Sequence, residues 1–543
     1  MTIFRALVSA LAVLLLAPVT RTSLGPVSSV SAQAAQPSRY DLVIAGGTVI
    51  DGSGRPGVLQ DVAIKDGRIA AVGRLQRSQA AQVIDAAGLV VAPGFIDVHT
   101  HADDLVDHPA AANFVRMGVT TIVAGNCGSS ALDVGGALNA LREHPAAINF
   151  ATLIGHNTVR IAAMGSADRL AREPELAHMR SLVWKAMADG AIGFSTGLQY
   201  VPGTYARLPE IVDLARVATN AGGIYASHMR NEGTALEAAI AETIKVGELA
   251  GGRVEISHLK VDSPNRWGAS DKALAMIDEA RRKGIDVRAD QYAYTAASST
   301  LGIRFPAWVL EGGQARIAER LNDAPTWLRI KREMAALLAE RGLADLSFAT
   351  VAMYRPDKAL NGLTMKQAAA RRRGDDSADA QFETARDMLL DGGASMVYHF
   401  MSDDDVDRIM RHPQVSIASD SGVLTLGDGA PHPRGYGNNA RVLGTYVRQR
   451  HVIAIEEAIR KMTSLPATHF KLANRGQLRP GYAADVVIFD PAKIHDTATF
   501  EAPHGYAEGI PFVLVNGVAV VRSGAQTDAR PGQVIANSVI ERR

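Results

Sequence analysis

The sequence predicts an α/β protein: a (β/α)8 TIM-like barrel with a small β-sandwich domain built from both terminal segments. Two observations predict it. Short apolar, β-rich runs alternate with amphipathic helical stretches about eight times through the middle of the chain, the pattern of a parallel sheet with crossover helices. Hairpin-like segments of similar character open and close the chain. A length of 543 residues accommodates a large barrel with an attached lobe, and 47% apolar with 21% charged residues is ordinary for a globular protein.

Taken in order, residues 1–34 read as an export signal. Arg5 supplies the positive start, residues 6–19 an apolar run, and Ala32-Gln33-Ala34 a cleavage site. The run is short for a bilayer span, although an N-terminal anchor is the alternative. The mature chain is therefore expected to be periplasmic or secreted, with no stable membrane partner after cleavage. Its single cysteine, Cys127, allows no intrachain disulfide in that oxidising compartment.

From Tyr40 onward, short strands alternate with turn signals: residues 41–45, Gly46-Gly47, residues 48–50, Asp51-Gly52, residues 62–65, Asp66-Gly67 and residues 69–72. A matching set closes the chain at residues 485–489, 511–515 and 518–522, with Asn516-Gly517 between the last two. Each set alone is too small to bury a core, so residues 40–93 and 473–535 are expected to form one domain. Residues 94–472 then form the barrel. The stretch 295–354 breaks its rhythm and reads as a lid-like insertion, where Phe305, Trp308 and Leu310 hint at an apolar pocket wall.

Net charge +1 and the lack of a long basic block give no footprint for nucleic acid, and no glycine-rich nucleotide loop follows a strand. A small-molecule partner is expected. The histidines supply the chemistry. His99-Thr100-His101 closes the run Pro93-Gly94-Phe95-Ile96-Asp97-Val98, and an i, i+2 pair on a strand projects both rings from one face. Cys127, His228, His258 and Asp420 likewise follow apolar runs, so all six side chains would meet at the mouth of the barrel. Imidazole, thiolate and carboxylate together suit zinc. Singly, each has a plainer reading as a hydrogen-bonded histidine, a core cysteine or a turn-capping aspartate. Their joint placement favours the metal. His156 and His399 also trail apolar runs and stand in reserve.

These residues also carry a resemblance. The run Pro93–His101 and the segment Gly46-Gly47-Thr48-Val49-Ile50-Asp51-Gly52 resemble the opening strand and accessory lobe of the amidohydrolase superfamily. Gly125-Asn126-Cys127-Gly128, Gly197-Leu198-Gln199-Tyr200, Ser227-His228-Met229-Arg230-Asn231-Glu232, Ser257-His258-Leu259-Lys260 and His432-Pro433-Arg434 resemble the D-aminoacylase family of N-acyl-D-amino-acid deacylases.

The resemblance implies zinc-dependent hydrolysis of an N-acyl-D-amino acid to a D-amino acid and a carboxylate. Cys127, His228 and His258 would hold one tight Zn2+; His99, His101 and Asp420 would line a neighbouring position for a weak second ion or none. It further implies substrate contacts from Tyr200, Lys260, Tyr292 and Ser298, with Arg434 and Arg304 as additional partners for a carboxylate. Asp420 is the expected general base, with a purely ligating role as the alternative. A related hydrolase of dipeptides or cyclic amides, and a silent binding protein that keeps the barrel, are the competing functions.

Overall fold

The computed structural model describes residues 39–537, and the export signal expected at 1–34 lies outside the described residues. Tyr40–Val49 runs as one strand against Val58–Lys65, which turns into Arg68–Gly73 through Asp66 and Gly67 at φ 50° and 71°. Asn516 and Gly517, at φ 49° and 82°, make the equivalent turn between Phe512–Val515 and Val518–Arg522. Both pairs match the positive φ that a two-residue hairpin turn needs. Gly46-Gly47 does not separate two strands as expected. The register shifts between Ile44 and Gly47, so this pair forms a bulge within one strand.

Val90–Pro93 joins the two ends of the chain by pairing with Val486–Phe489, completing a nine-stranded sheet. Leu42, Ile44, Val62, Ile64, Val91, Val486, Ile488 and Leu514 fill one of its apolar clusters.

The barrel strands are β1 (Phe95–Asp97), β2 (Val119–Ala124), β3 (Asn149–Thr152, resuming at Ile154–Gly155), β4 (Gly193–Gly197), β5 (Ile224–His228), β6 (Arg253–Ile256), β7 (Val287–Gln291) and β8 (Val415–Ile417). Neighbours pair in parallel in this order. Closure comes just beyond β8, where the Asp420 amide donates to His99 O at 2.9 Å and the His101 amide to Ser421 O at 2.9 Å. Helices such as Leu208–Asn220 and Leu236–Ala250 cover the outside, burying Ile211, Leu214, Ile240 and Val246. Among the described residues no helix is long and apolar enough to cross a membrane.

The insertion reaches further than 295–354. Ser395–His399 lies between Ala296–Thr300 and Ala349–Met353 as the central strand of an antiparallel sheet. The helices Met365–Arg373 and Ala378–Leu390 have the spacing of barrel crossovers, but they bury Met365, Phe382 and Met388 against this sheet. Phe305 joins the same cluster, with Trp308 and Leu310 packed on it. These three residues are lid core, and none lines the pocket.

Candidate metal centre

Parallel barrels present strand ends, and the loops that follow them, at one rim. His99 and His101 follow β1, Cys127 follows β2, His228 ends β5, His258 follows β6 and Asp420 follows β8. Cys127, His258 and Asp420 have φ of 52°, 37° and 52°. Non-glycine residues rarely occupy this region, and three together at one rim mark a functional site. Gly125 and Gly197 make room for the turn at Cys127: a Cβ would come within 2.1 Å of Leu153 O at the first and 2.0 Å of Cys127 O at the second.

The structure brings all six expected donors together. Cys127 Sγ lies 3.3 Å from His99 Nε2, 3.6 Å from His228 Nδ1 and 3.5 Å from His258 Nε2. Asp420 Oδ1 is 3.1 Å from His101 Nε2 and 3.7 Å from His99 Nε2. Three overlapping donor groups result: His99–His101–Cys127, Cys127–His228–His258 and His99–His258–Asp420. A tetrahedral zinc with bonds of about 2.3 Å to sulfur and about 2.0 Å to nitrogen sets S and N about 3.5 Å apart. The distances from Cys127 to His228 and His258 fit that requirement.

The electrostatics suit a cation as well. Burial alone would raise the Cys127 thiol, but the adjacent His99 and His258 hold it well below the usual thiol range. Burial would likewise raise Asp420, and Arg434, with Nη2 at 3.0 Å, leads the groups that hold it well below the usual carboxylate range.

A second tier of side chains fixes the donors. Asp290 accepts from the His258 amide at 2.9 Å and sits 3.4 Å from His99 Nδ1. Asp97 accepts from the amides of His99 and Ser419, tying β1 to the end of β8. Gln199 Oε1 lies 2.9 Å from His228 Nε2, and Glu232 touches both His258 and Lys260. None of these four was expected as a site residue. Gln199 and Glu232 lie within the resembling motifs, two residues past the end of β4 and four past His228, and that placement just beyond a strand end was the signal that could have found them.

A cavity of about 610 Å³ opens above the donors. Tyr200, Lys260, Ser298, Arg304 and Arg434 line it. Tyr292 is brought near but sits behind the wall: its hydroxyl turns to Met401 Sδ, and its ring lies 4.5 Å from the Arg434 guanidinium. The reserve histidines fall elsewhere. His156 pairs with Glu210 at 2.9 Å, and His399 lies at the lid sheet against Phe500.

The spelling Gly193-Phe194-Ser195-Thr196-Gly197 matches a serine-hydrolase elbow, but it forms β4 itself. Ser195 Oγ is buried and donates to Gly125 O, so it presents no nucleophile to the cavity.

Comparison with known proteins agrees with this geometry. The pattern of the amidohydrolase family matches residues 82–521. The chain is 39% identical over 523 residues to a D-aminoacylase of Alcaligenes xylosoxydans xylosoxydans, covering 92% of this chain and 98% of the relative. It is 37% identical to an N-acyl-D-aspartate deacylase of the same organism, covering 92% and 96%. The crystal structure of an N-acyl-D-glutamate deacylase from Bordetella bronchiseptica, complexed with zinc and a phosphonate inhibitor that mimics the tetrahedral intermediate, superposes with a TM-score of 0.78. That comparison has 36% identity and covers 92% of this chain and 99% of the other. The chain belongs to the amidohydrolase family, within its D-aminoacylase group.

Proposed function

We propose that this protein is a zinc-dependent deacylase that hydrolyses N-acyl-D-amino acids to a D-amino acid and a carboxylate. The observation that carries this reading is the Cys127–His228–His258 donor set, at zinc-compatible separations, below a cavity lined by Lys260 and Arg434. When bound, zinc supplies Lewis acidity toward the amide carbonyl and brings the pKa of water down towards about 7. Asp420, ionised beside Arg434, takes the proton of the attacking water and returns it to the leaving amine nitrogen. Lys260 and Ser298 face the substrate carboxylate. Tyr200, whose ring centroid is 4.7 Å from that of His228, walls the other side. His99 and His101 complete the neighbouring position beside Asp420.

A refinement concerns the substrate side chain. Lys260 and Arg434 are each paired with a carboxylate, at Glu232 and Asp420. Arg304 is 7% exposed and has no carboxylate within ion-pair distance among the described residues; it rests 4.5 Å over the Tyr398 ring. A buried guanidinium without a counter-ion favours an anionic guest. We infer a preference for acidic side chains.

The test is a panel of N-acetyl-D-glutamate, N-acetyl-D-aspartate, N-acetyl-D-leucine, their L enantiomers and a cyclic imide on the zinc-loaded protein. D-selective turnover with the acidic substrates fastest is expected. Turnover of the imide alone would favour the cyclic-amide alternative, and no turnover at all the silent barrel. Export to the periplasm or medium, proposed from residues 1–34, is checked by cell fractionation.

A further inference from the structure

Glu232 stands outside the expected ligand and substrate sets, yet it is 4% exposed and at the centre of both. Its Oε1 lies 3.0 Å from His258 Nδ1 and 2.7 Å from Lys260 Nζ, and its Oε2 3.8 Å from His228 Nε2. Lys260 Nζ is itself 2.7 Å from His258 Nδ1. Three groups that cannot all be donors therefore share one small volume.

Donor and acceptor chemistry resolves the triangle. His258 turns Nε2 toward Cys127, so Nε2 is the nitrogen a metal there would take. An imidazole that gives Nε2 to a metal keeps its proton on Nδ1 and donates it to an outer partner, which fixes the ring and raises its basicity. The ammonium of Lys260 has three donors and no acceptor, so it cannot receive that proton. Glu232 Oε1 can. Asp290, the other nearby carboxylate, takes the His258 backbone amide on Oδ1 and faces His99 Nδ1 with Oδ2 at 3.4 Å. His228 shows the neutral version of the arrangement, with Nδ1 toward Cys127 and Nε2 toward the amide oxygen of Gln199.

We propose that Glu232 is a positioning residue with two dependants: it accepts the Nδ1 proton of His258, setting that ring for zinc, and it holds the Lys260 ammonium toward the substrate carboxylate. This rests on the deacylase reading above. One carboxylate thereby ties the metal position to the cation that receives the substrate.

The test compares zinc affinity, measured by competition with a chromophoric chelator, in wild type, Glu232→Gln, Glu232→Asp and Lys260→Met. Thermal midpoints are recorded alongside, with KM and kcat at saturating zinc. Loss of an outer partner typically costs 10- to 100-fold; Glu232→Gln keeps an acceptor oxygen but loses the charge, so it should weaken zinc by about tenfold, the lower end of that range, and raise KM for an N-acyl-D-amino acid. Lys260→Met should raise KM while leaving zinc affinity within about threefold of wild type, because Glu232 remains on His258. Glu232→Asp keeps the charge with a shorter reach and should retain the wild-type midpoint with intermediate zinc affinity.

Wild-type zinc affinity in both Glu232 variants would overturn the proposal. So would a zinc loss in Lys260→Met equal to that in Glu232→Gln, since the lysine would then be the anchor of the ring. A change in zinc affinity with KM unmoved would remove the joint role. A wild-type chain that takes up no zinc would overturn the deacylase reading, and this proposal with it. A zinc-binding wild type without deacylase activity would overturn only the substrate half.

Discussion

The two ends of the barrel use their basic side chains differently. At the floor, basic side chains cap backbone carbonyls: Lys461 Nζ, 3.8 Å from Glu457 Oε1, donates to His412 O and, at 2.8 Å, to Val415 O where β8 begins, and Arg253 donates to His469 O and to Gly222 O at 3.0 Å. At the mouth, Lys260 and Arg434 meet carboxylates that also touch donor histidines, and Arg304 meets no carboxylate among the described residues. Left-handed φ angles occur at three mouth donors. The floor uses basic groups to complete backbone hydrogen bonding, whereas the mouth holds charge in arrangements that a metal and an anionic substrate would complete.

The largest expected effect breaks the mouth at its shared donor. Cys127→Ala removes a first ligand, so zinc affinity and activity should both fall by more than the roughly 100-fold upper range for losing an outer partner. Metal analysis after dialysis, with initial rates, measures it; full zinc and full activity would mean the ligand set is wrong. Asp420→Asn should retain the tight zinc while kcat at full loading falls about 100- to 10,000-fold. Loss of zinc in step with activity would instead make Asp420 chiefly a ligand. Next comes Arg304→Met, which should raise KM for N-acetyl-D-glutamate about 10- to 100-fold and leave N-acetyl-D-leucine nearly unchanged. Equal effects on the two substrates would assign Arg304 to packing or to the shared α-carboxylate.

The smallest effect concerns the floor. Burial pushes Lys461 down from its usual 10.5 to about 7. Between those values the unfolded chain holds a proton that the native chain lacks, so this group makes stability rise with pH across that window. The wild-type thermal midpoint should therefore gain on that of Lys461→Met from pH 7 to pH 10, with KM the same in both. A change in KM would dissolve the contrast between the two ends.

What was legible in the sequence was what the strand period dictates. His99, His101, Cys127, His228, His258 and Asp420 each follow an apolar run, and parallel strands of one barrel deliver such residues to one rim. The hairpins at Asp66-Gly67 and Asn516-Gly517 were legible from turn chemistry. Gly46-Gly47 was not, because a bulge and a turn both use glycine at positive φ. Ser395–His399 was missed as a lid strand because its partners lie far away in sequence, with helices of barrel-like spacing between. Glu232 and Gln199 were missed for a different reason. Their role depends on which ring nitrogen they meet, and periodicity carries no trace of that.

The lid leaves the barrel after β7 and returns before β8, and it buries Leu301, Trp327, Ile330, Met334, Tyr354 and Tyr398 in a cluster of its own. The metal donors all sit outside it, whereas Arg304 and Ser298 sit inside. On the reading proposed above, side-chain selectivity draws on the insertion and hydrolysis on the barrel. Grafting this insertion between relatives, with its contacts to Tyr200 and Asp262 kept, offers a route to new substrate preferences on an unaltered hydrolytic centre.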